Sequence, residues 1–455
     1  MRFLPRIFPL LLLALSSALL LPPRPAAAQR PSGPEVELSR VTPQTPVATT
    51  IAIATFEVTG SSGGVDPQLF LDVIYNDLDL FSYFERAKNQ TFVEQTHRQD
   101  LRAGRIDFTE WRRLDASFVL KGAFSSVNDR ITADCYLYDV ERQQRVFGTR
   151  YPECPIGAAR RLAHQISDDV AGAVFKTVPI ANTQIVFVSR RGSSSHKEIY
   201  LMDADGHDAR RLTFDNTLAQ TPCWGQNGTE IYYTSHKDWN PDLFGMQLGT
   251  MKTWPISYFP KMNYAANWSP QRERIVLTLG KDGNSEIYTM DRNGKPKSLQ
   301  RLTWTPGIDS SPCWNPAGNQ IVFVSDRTGT PQIHIMHADG TGTRLLTRLG
   351  SYNQSPVWSP KGDLIAYSSR GEDGHHNICT IRLDGTDRRR LTYKQGNNED
   401  PAWAPDGEHL VFASDRQRFS EFQIYIMRTD GSNQRLITDQ SNNHSPAWSP
   451  GPAYR

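Results

Sequence analysis

A tryptophan returns along this chain at a nearly constant interval: Trp224, Trp268, Trp314, Trp358, Trp403 and Trp448. The spacings are 44, 46, 44, 45 and 45 residues. A unit of that length cannot bury its own faces, so it must stack on copies of itself. Each unit reads as four short strands. A Pro-x-Trp strand comes first, as in Pro356-Val-Trp358, followed by a turn such as Ser359-Pro-Lys-Gly362. Proline pre-sets its φ there and glycine accepts a positive one. The second strand is apolar, as in Ile321–Ser325. The third, such as Gln423–Met427 or Glu286–Met290, ends in an Asp-Gly turn, as at Asp339-Gly340, Asp384-Gly385 and Asp430-Gly431. Asp-Gly between apolar runs is a strong hairpin signal. Arg-Leu-Thr marks the fourth strand, at Arg211–Thr213, Arg301–Thr303 and Arg390–Thr392.

Second strands begin at Ile185, Ile231, Ile275, Ile321, Ile365 and Leu410, which makes six, but they are out of phase with the six tryptophan strands. Ile185 has no tryptophan strand before it, and Ser445-Pro-Ala-Trp-Ser-Pro450 has no second strand after it. A ring solves both mismatches, because the C-terminal strand then pairs into the first blade and removes the open sheet edges. The expected fold is an α/β N-terminal domain over 49–177, followed by an all-β six-bladed propeller over 183–455, closed by the C-terminal strand.

The N-terminus has the pattern of an export signal over 1–28. Arg2 and Arg6 carry charge, Ile7–Leu21 is apolar, and Ala26-Ala-Ala28 is a small-residue cleavage site that makes Gln29 the first mature residue. Residues 29–48 read as a flexible segment rich in Pro, Ser, Thr and Gln, within which Glu35-Val-Glu-Leu38 alternates like a strand. In the α/β domain, Thr50–Val58 reads as a buried strand. Asp66–Phe81 reads as a helix with Leu69, Phe70, Val73, Ile74, Leu78 and Phe81 at helical spacing. A short helix is expected over 107–114, strands over Ser117–Phe124, Ile131–Asp139 and Gln143–Tyr151, and a second long helix over Arg160–Phe175. His164, Asp168 and Asp169 on or beside that helix read as surface or satisfied polar residues. Gly60–Gly64 lacks the spacing of a phosphate cradle.

A net charge of +2 and no basic field disfavour nucleic acid as a partner. Five cysteines show no zinc spacing, and no cofactor or metal pattern is present. Cys223 and Cys313, each before a repeat tryptophan, read as buried small residues. Cys135 and Cys154 lie on neighbouring strands and are candidates for a bridge in an oxidising compartment. No later stretch is apolar enough for direct membrane insertion. H-E-x-x-H does not occur, and Gly60-Ser-Ser-Gly-Gly64, which has the G-x-S-x-G spacing, reads as a plain loop, so an enzyme is not expected.

The Pro-x-Trp-Ser-Pro-x-Gly repeats, the helix Ala163-His-Gln-Ile-Ser-Asp-Asp-Val170 and the terminal Ser445–Pro450 together resemble the TolB family, over nearly the whole mature chain. The resemblance implies a non-enzymatic periplasmic scaffold of the Tol–Pal system. Such a scaffold binds the peptidoglycan-associated lipoprotein Pal through its propeller loop face and contacts TolA. It would act as a monomer supporting outer-membrane integrity and envelope constriction during cell division. The resemblance also makes Glu35, Val36, Glu37 and Leu38 a switch segment, set several residues in from Gln29.

In each repeat, the loop entering the tryptophan strand and the loop between strands two and three share one face of the ring. The Ser-Pro-x-Gly and Asp-Gly turns share the other. The turns are nearly uniform and the loops vary, and variable loops on a rigid scaffold are where binding usually lives. The candidate partner residues are Gln220, Trp239, Ala265, Asp309, Ser310, Asn353, Gln354, Asn398, Glu399 and His444. The resemblance places Ala265 and Ser310 where the family's Pal contact is affected. Trp239 stands outside the tryptophan repeat and is a candidate anchor. The repeat tryptophans read as core, and Asp326-Arg327 and Asp415-Arg416 read as loop fasteners. Two other functions remain open: an exported propeller that binds a small ligand or sugar in its channel, and an accessory domain of a peptidase.

Overall fold

The computed structural model describes residues 49–59, 66–87, 106–192, 196–269 and 271–451. The export signal, Glu35–Leu38 and the Gly60–Gly64 loop lie outside the described residues. Among the described residues, no helix is long and apolar enough to cross a membrane.

The N-terminal region is a sheet of β1 (Thr50–Ile53), β2 (Glu57–Val58), β3 (Glu85–Arg86), β4 (Phe118–Val127), β5 (Arg130–Asp139) and β6 (Gln144–Pro155). Its order is β3-β1-β4-β5-β6, with β2 on β4. β1 runs parallel to both neighbours, and β4, β5 and β6 are antiparallel. Helix α1 (Pro67–Leu80) starts where the Asp66 carboxylate accepts the Gln68 N–H at 2.9 Å, which satisfies one orphan donor of the first turn. Phe70, Val73, Ile74 and Leu78 are buried as their spacing requires. Leu69 is not: the buried face runs through Leu71, and Leu69 is 40% exposed. The short helix α2 (Phe108–Arg113) buries Trp111 against the opposite face of the sheet. Helix α3 (Ala159–Phe175) packs Leu162, Ile166 and Val170 beside α1.

His164 and Asp168 of α3 are interior rather than surface, and Asp169 is half-buried. His164 is 2% exposed, with Nδ1 2.8 Å from Asp77 Oδ2. Asp168 accepts the backbone N–H groups of Ile180, Ala181 and Asn182 at 2.8, 2.8 and 2.9 Å, which fixes the connection into the propeller. Tyr151 donates to Asp169 at 2.7 Å. The bridge between Cys135 and Cys154 does not form. The β5–β6 register sets Cys135 opposite Thr149 and Cys154 opposite Ile131, and both thiols are free. Adjacent strands alone do not bring two sulfurs within bonding geometry.

The C-terminal region is six four-stranded sheets. The first combines the C-terminal strand Asn443–Trp448 with β7 (Gln184–Ser189), β8 (Glu198–Asp203) and β9 (Arg210–Arg211). Trp448 lies opposite Ile185 and Asn443 opposite Ser189, so the ring closes as expected. The repeat signals serve contacts between blades. Trp224 Nε1 donates to the Ala447 carbonyl at 2.9 Å and Trp403 Nε1 to that of Val357 at 3.1 Å, each on the preceding inner strand. The Asp-Gly glycine is required twice over. Gly340 has φ +89, and a Cβ there would sit 2.5 Å from the Leu302 carbonyl oxygen of the blade before. The threonine of Arg-Leu-Thr takes a strand-three N–H, as Ile199 N to Thr213 Oγ1 at 2.9 Å and Ile287 N to Thr303 Oγ1 at 2.9 Å. Blade two lacks these signals and substitutes a longer outer strand, Lys252–Ser257, whose Trp254 covers Gly245.

The α/β region rests on the turn side of blades six and one. Leu80 and Phe81 join a cluster with Ile180, Ile185, Ala404, Val411 and Trp448. The Asn433 amide donates to the Leu80 carbonyl at 2.7 Å. Arg435 pairs with Asp79 at 3.2 Å.

Candidate functional site

Because the α/β region rests on turns, the loop side of the ring stays uncovered by it. The channel has a volume of about 620 Å³ and is walled by the six inner strands. Each inner strand carries a bulge, with its register shifting between residues such as Gln220 and Cys223 or Ser310 and Cys313. The bulge turns one residue per blade to positive φ, namely Thr221, Ala265, Ser311, Ser355, Asp400 and Ser445, with φ between 45 and 53. These six line the channel. A bulge re-aims a side chain at the cost of one ladder position, and repeating it round a ring puts six short side chains on one level.

The candidate residues divide by their place relative to this bulge. Asp309, Asn353 and Asn398, which begin inner strands, are fully buried and internally bonded. Asp309 Oδ2 accepts from Arg327 at 2.8 Å. Asn353 Nδ2 donates to Gln332 at 2.6 Å. Asn398 Oδ1 accepts from Arg416 at 2.8 Å. Asp326 and Asp415 hold the same loops by accepting the Ile308 and Asn397 N–H groups at 2.7 and 2.6 Å. Their sequence variety therefore reflects several ways of fastening a strand, and their side chains are turned into the protein.

The next position in each blade is half-buried, and the candidates Gln220, Ser310, Gln354, Glu399 and His444 occupy it in five blades, with Tyr264 in the sixth. Gln354 Nε2 is 3.1 Å from His376 Nδ1, and Glu399 Oε1 is 3.4 Å from the same nitrogen. Burial, then Asp400 and Asp415, push the Glu399 carboxyl up to about 7. Burial and Arg370 lower His376. Both shifts favour neutral forms, so near neutrality this contact is closer to a hydrogen bond than to an ion pair. Burial, then Lys197, push His444 down to about 4, with its ring 4.8 Å from that of Phe422. Trp239 is 99% exposed at φ +65 in the loop between strands two and three of blade two. Ala265 belongs to the bulge level and lies one step further in than Ser310.

Two features of the loop side go beyond the residues named from the sequence. Asp400 is the one acid on the bulge level, and it accepts from Ser355 Oγ and Ser445 Oγ, each at 2.9 Å, from the blades on either side. Aligning the residue three before each tryptophan would have isolated it. The residue after Arg-Leu-Thr was also overlooked. Phe214 and Trp304 are 66% and 67% exposed and Tyr393 39%, with the guanidinium of Arg211, Arg301 or Arg390 4.6, 5.6 or 4.4 Å from the ring centre. A cation over an aromatic face holds the ring in place. The loop side thus presents a ring of polar, half-buried residues just outside the bulge level, with exposed aromatic rings around it. That is the layout of a surface that binds a partner by aromatic anchors.

Known proteins resemble this chain over the same regions. The family model of the TolB beta propeller domain matches residues 177–374 and 369–453, and that of the TolB amino-terminal domain matches residues 40–146. A Tol-Pal system protein TolB from Desulfosudis oleivorans is 31% identical over 255 residues, which is 56% of this chain and 57% of the relative. A TolB homolog from Chlorobium chlorochromatii is 32% identical over 282 residues, 62% of each. The matches therefore span about three fifths of the length of these curated relatives. The crystal structure of TolB from Acinetobacter baumannii shares the fold with a TM-score of 0.77, at 24% identity, over 88% of this chain and 96% of that one.

Proposed function

This chain belongs to the TolB family, and from that premise we propose that it is a non-enzymatic periplasmic component of a Tol–Pal system. In this reading the loop side of the propeller binds the lipoprotein Pal, and the protein communicates with TolA. The observation that carries the reading is the placement of the α/β region on the turn side of blades six and one, which leaves the variable side free. The half-buried residues Gln220, Ser310, Gln354, Glu399 and His444 would then meet the partner on the loop side, with Ala265 just inside and Trp239 as an outer anchor.

The test is a pull-down of the chain from Gln29 with the periplasmic domain of the host's Pal, beside a variant carrying Ala265→Trp and Ser310→Trp. Both positions lie at or just inside the half-buried ring of the loop side, so bulk there obstructs the surface without touching the fully buried strand starts. Capture of the parent chain and loss of capture by the variant is the expected result. No capture of either removes Pal as the partner. The channel with Asp400 between two serines would then favour the second reading, a small polar ligand bound there.

A further inference from the structure

The densest group of buried charges in the described residues lies away from the loop side, where the α/β region meets blade one. It is centred on His164 of α3, whose side chain is 2% exposed. Asp77 of α1 approaches Nδ1 at 2.8 Å, and Asp203 at the end of β8 approaches Nε2 at 3.8 Å. Asp205 of the following turn bonds Arg160, one turn before His164 on α3, and also His207 at 3.2 Å. Arg160 Nε lies 3.8 Å from Asp203. Asp208 follows on the same turn, and Asn76 of α1 reaches Asp205 at 3.4 Å. Asp203 and Asp205 share the Arg160 guanidinium, while Asp77 and Asp203 face the two ring nitrogens of His164. Among the buried atoms without a hydrogen-bond partner are His164 Nε2 and Asp77 Oδ1, both in this cluster.

We propose that His164 is a proton-operated latch between the α/β region and the propeller. Protonated on both nitrogens, it draws Asp77 of the first and Asp203 of the second together. With one proton lost, it leaves facing carboxylates to repel across the joint. A neutral imidazole can satisfy only one of the two carboxylates as a donor, whereas the imidazolium donates to both. Opposite charges in a buried site attract far more strongly than at the surface, and an unbalanced charge there is correspondingly costly. Distance alone would also let Asp77, His164 and Asp205 surround a metal ion, since their oxygen and nitrogen atoms lie within 4.8 Å of one another. Arg160 already occupies Asp205, however, so the positive charge the site needs is supplied by the chain and completed by a proton.

The surroundings set the sign of the pH dependence. Burial would lower His164, but Asp77, then Asp205 and Asp203, outweigh it and raise the ring above its ordinary value. The latch is therefore fully closed below the unfolded histidine value of about 6.5 and opens as pH rises through the higher folded one. Asp205 is pulled below the ordinary carboxylate range despite burial, by His207, His164 and Arg160. Burial raises Asp77 and Asp203, the two acids the latch joins, above the ordinary carboxylate range, so they take up protons before Asp205 as pH falls. The joint therefore weakens again in acid, and the latch holds best between their values and that of His164. This device does not depend on which partner occupies the loop side.

The experiment is calorimetric unfolding of the full chain at pH about 6 and about 9, for the parent and for His164→Gln, with and without EDTA. The parent should unfold as one coupled transition at the lower pH. At the higher pH an earlier transition of the α/β region should separate by several degrees. His164→Gln should show the separation at both pH values. If that variant misfolds, Asp203→Asn, on the propeller side of the joint, should flatten the same dependence. In the parent, the nitrogen shifts of the His164 ring must report the loss of one proton between the two pH values. A His164 ring with unchanged protonation overturns the proposal. So does an equal pH dependence in parent and variants, or a parent whose joint ignores pH and weakens only with EDTA.

Discussion

Replacing Phe81 by alanine tests whether the α/β region and the propeller stand as one folding unit. Phe81 follows the last turn of α1 and is fully buried, yet its neighbours belong mostly to the propeller. Its ring centre lies 5.9 Å from that of His409 and 6.4 Å from that of Trp448, and its carbonyl oxygen is 3.2 Å from His409 Nε2. Removing a buried phenyl ring costs about 1.5–3 kcal/mol of transfer free energy. The unfilled cavity raises the total to about 3–5 kcal/mol. The backbone contact to His409 survives the substitution, so the loss reports the ring alone. Because the ring is seated against the other region, the cost falls on the joint and spares both cores.

Urea unfolding should be followed by circular dichroism and by tryptophan fluorescence. Nine of the ten tryptophans, all but Trp111, lie in the propeller sequence, so fluorescence follows that region. In Phe81→Ala the two probes should separate. With a urea slope of about 1–3 kcal/mol/M, the earlier transition should move down by about 1–5 M. Phe214→Ala, which removes a ring that is 66% exposed, should stay within about 0.5 kcal/mol of the parent. Coincident probes and a loss below about 1 kcal/mol in Phe81→Ala would refute the argument that this ring couples the two regions.

Gly340→Ala should lower the thermal midpoint by the equivalent of about 1–3 kcal/mol, because it adds both left-handed strain and a clash with the Leu302 carbonyl. Gly362→Ala, at φ +79 with open space around it, should lose only the strain share. Equal losses would show that the approach of neighbouring blades is irrelevant. Glu399→Gln should match the parent in stability near pH 4 and exceed it by about 1–3 kcal/mol above pH 7. The raised carboxyl favours the fold only while protonated, and that contribution is lost as pH rises through about 7. Parallel pH curves for Glu399→Gln and the parent would count against the buried-acid account. The intact mass of the chain purified without reductant should show no loss of two hydrogens, since Cys135 and Cys154 are out of register.

The tryptophan period, the out-of-phase strand count and the Asp-Gly turns carried the fold, because each is a local pattern repeated until only a closed ring can bury it. The joining helix was visible as an apolar stripe through Leu162, Ile166 and Val170. The candidate site was legible only as a side of the ring. Asp309, Asn353 and Asn398 sit in variable loops and look like a binding surface, but they turn inward as strand fasteners. Asp400 looks like one more loop acid, but a bulge aims it between Ser355 and Ser445.

The sequence by itself therefore determined the number of blades, how the ring closes, and which turns are scaffold. Those properties depend on residues close together in the chain and on repetition at a fixed interval. Only the tertiary structure decided which side chains face the channel and which charges meet across the joint. His164 meets Asp77 from 87 positions away, and Phe81 meets His409 from 328. Neither pair lies within one repeat or one helix, so no periodicity marks it. Each contact arises from where folding sets the α/β region down on the turn side of the ring.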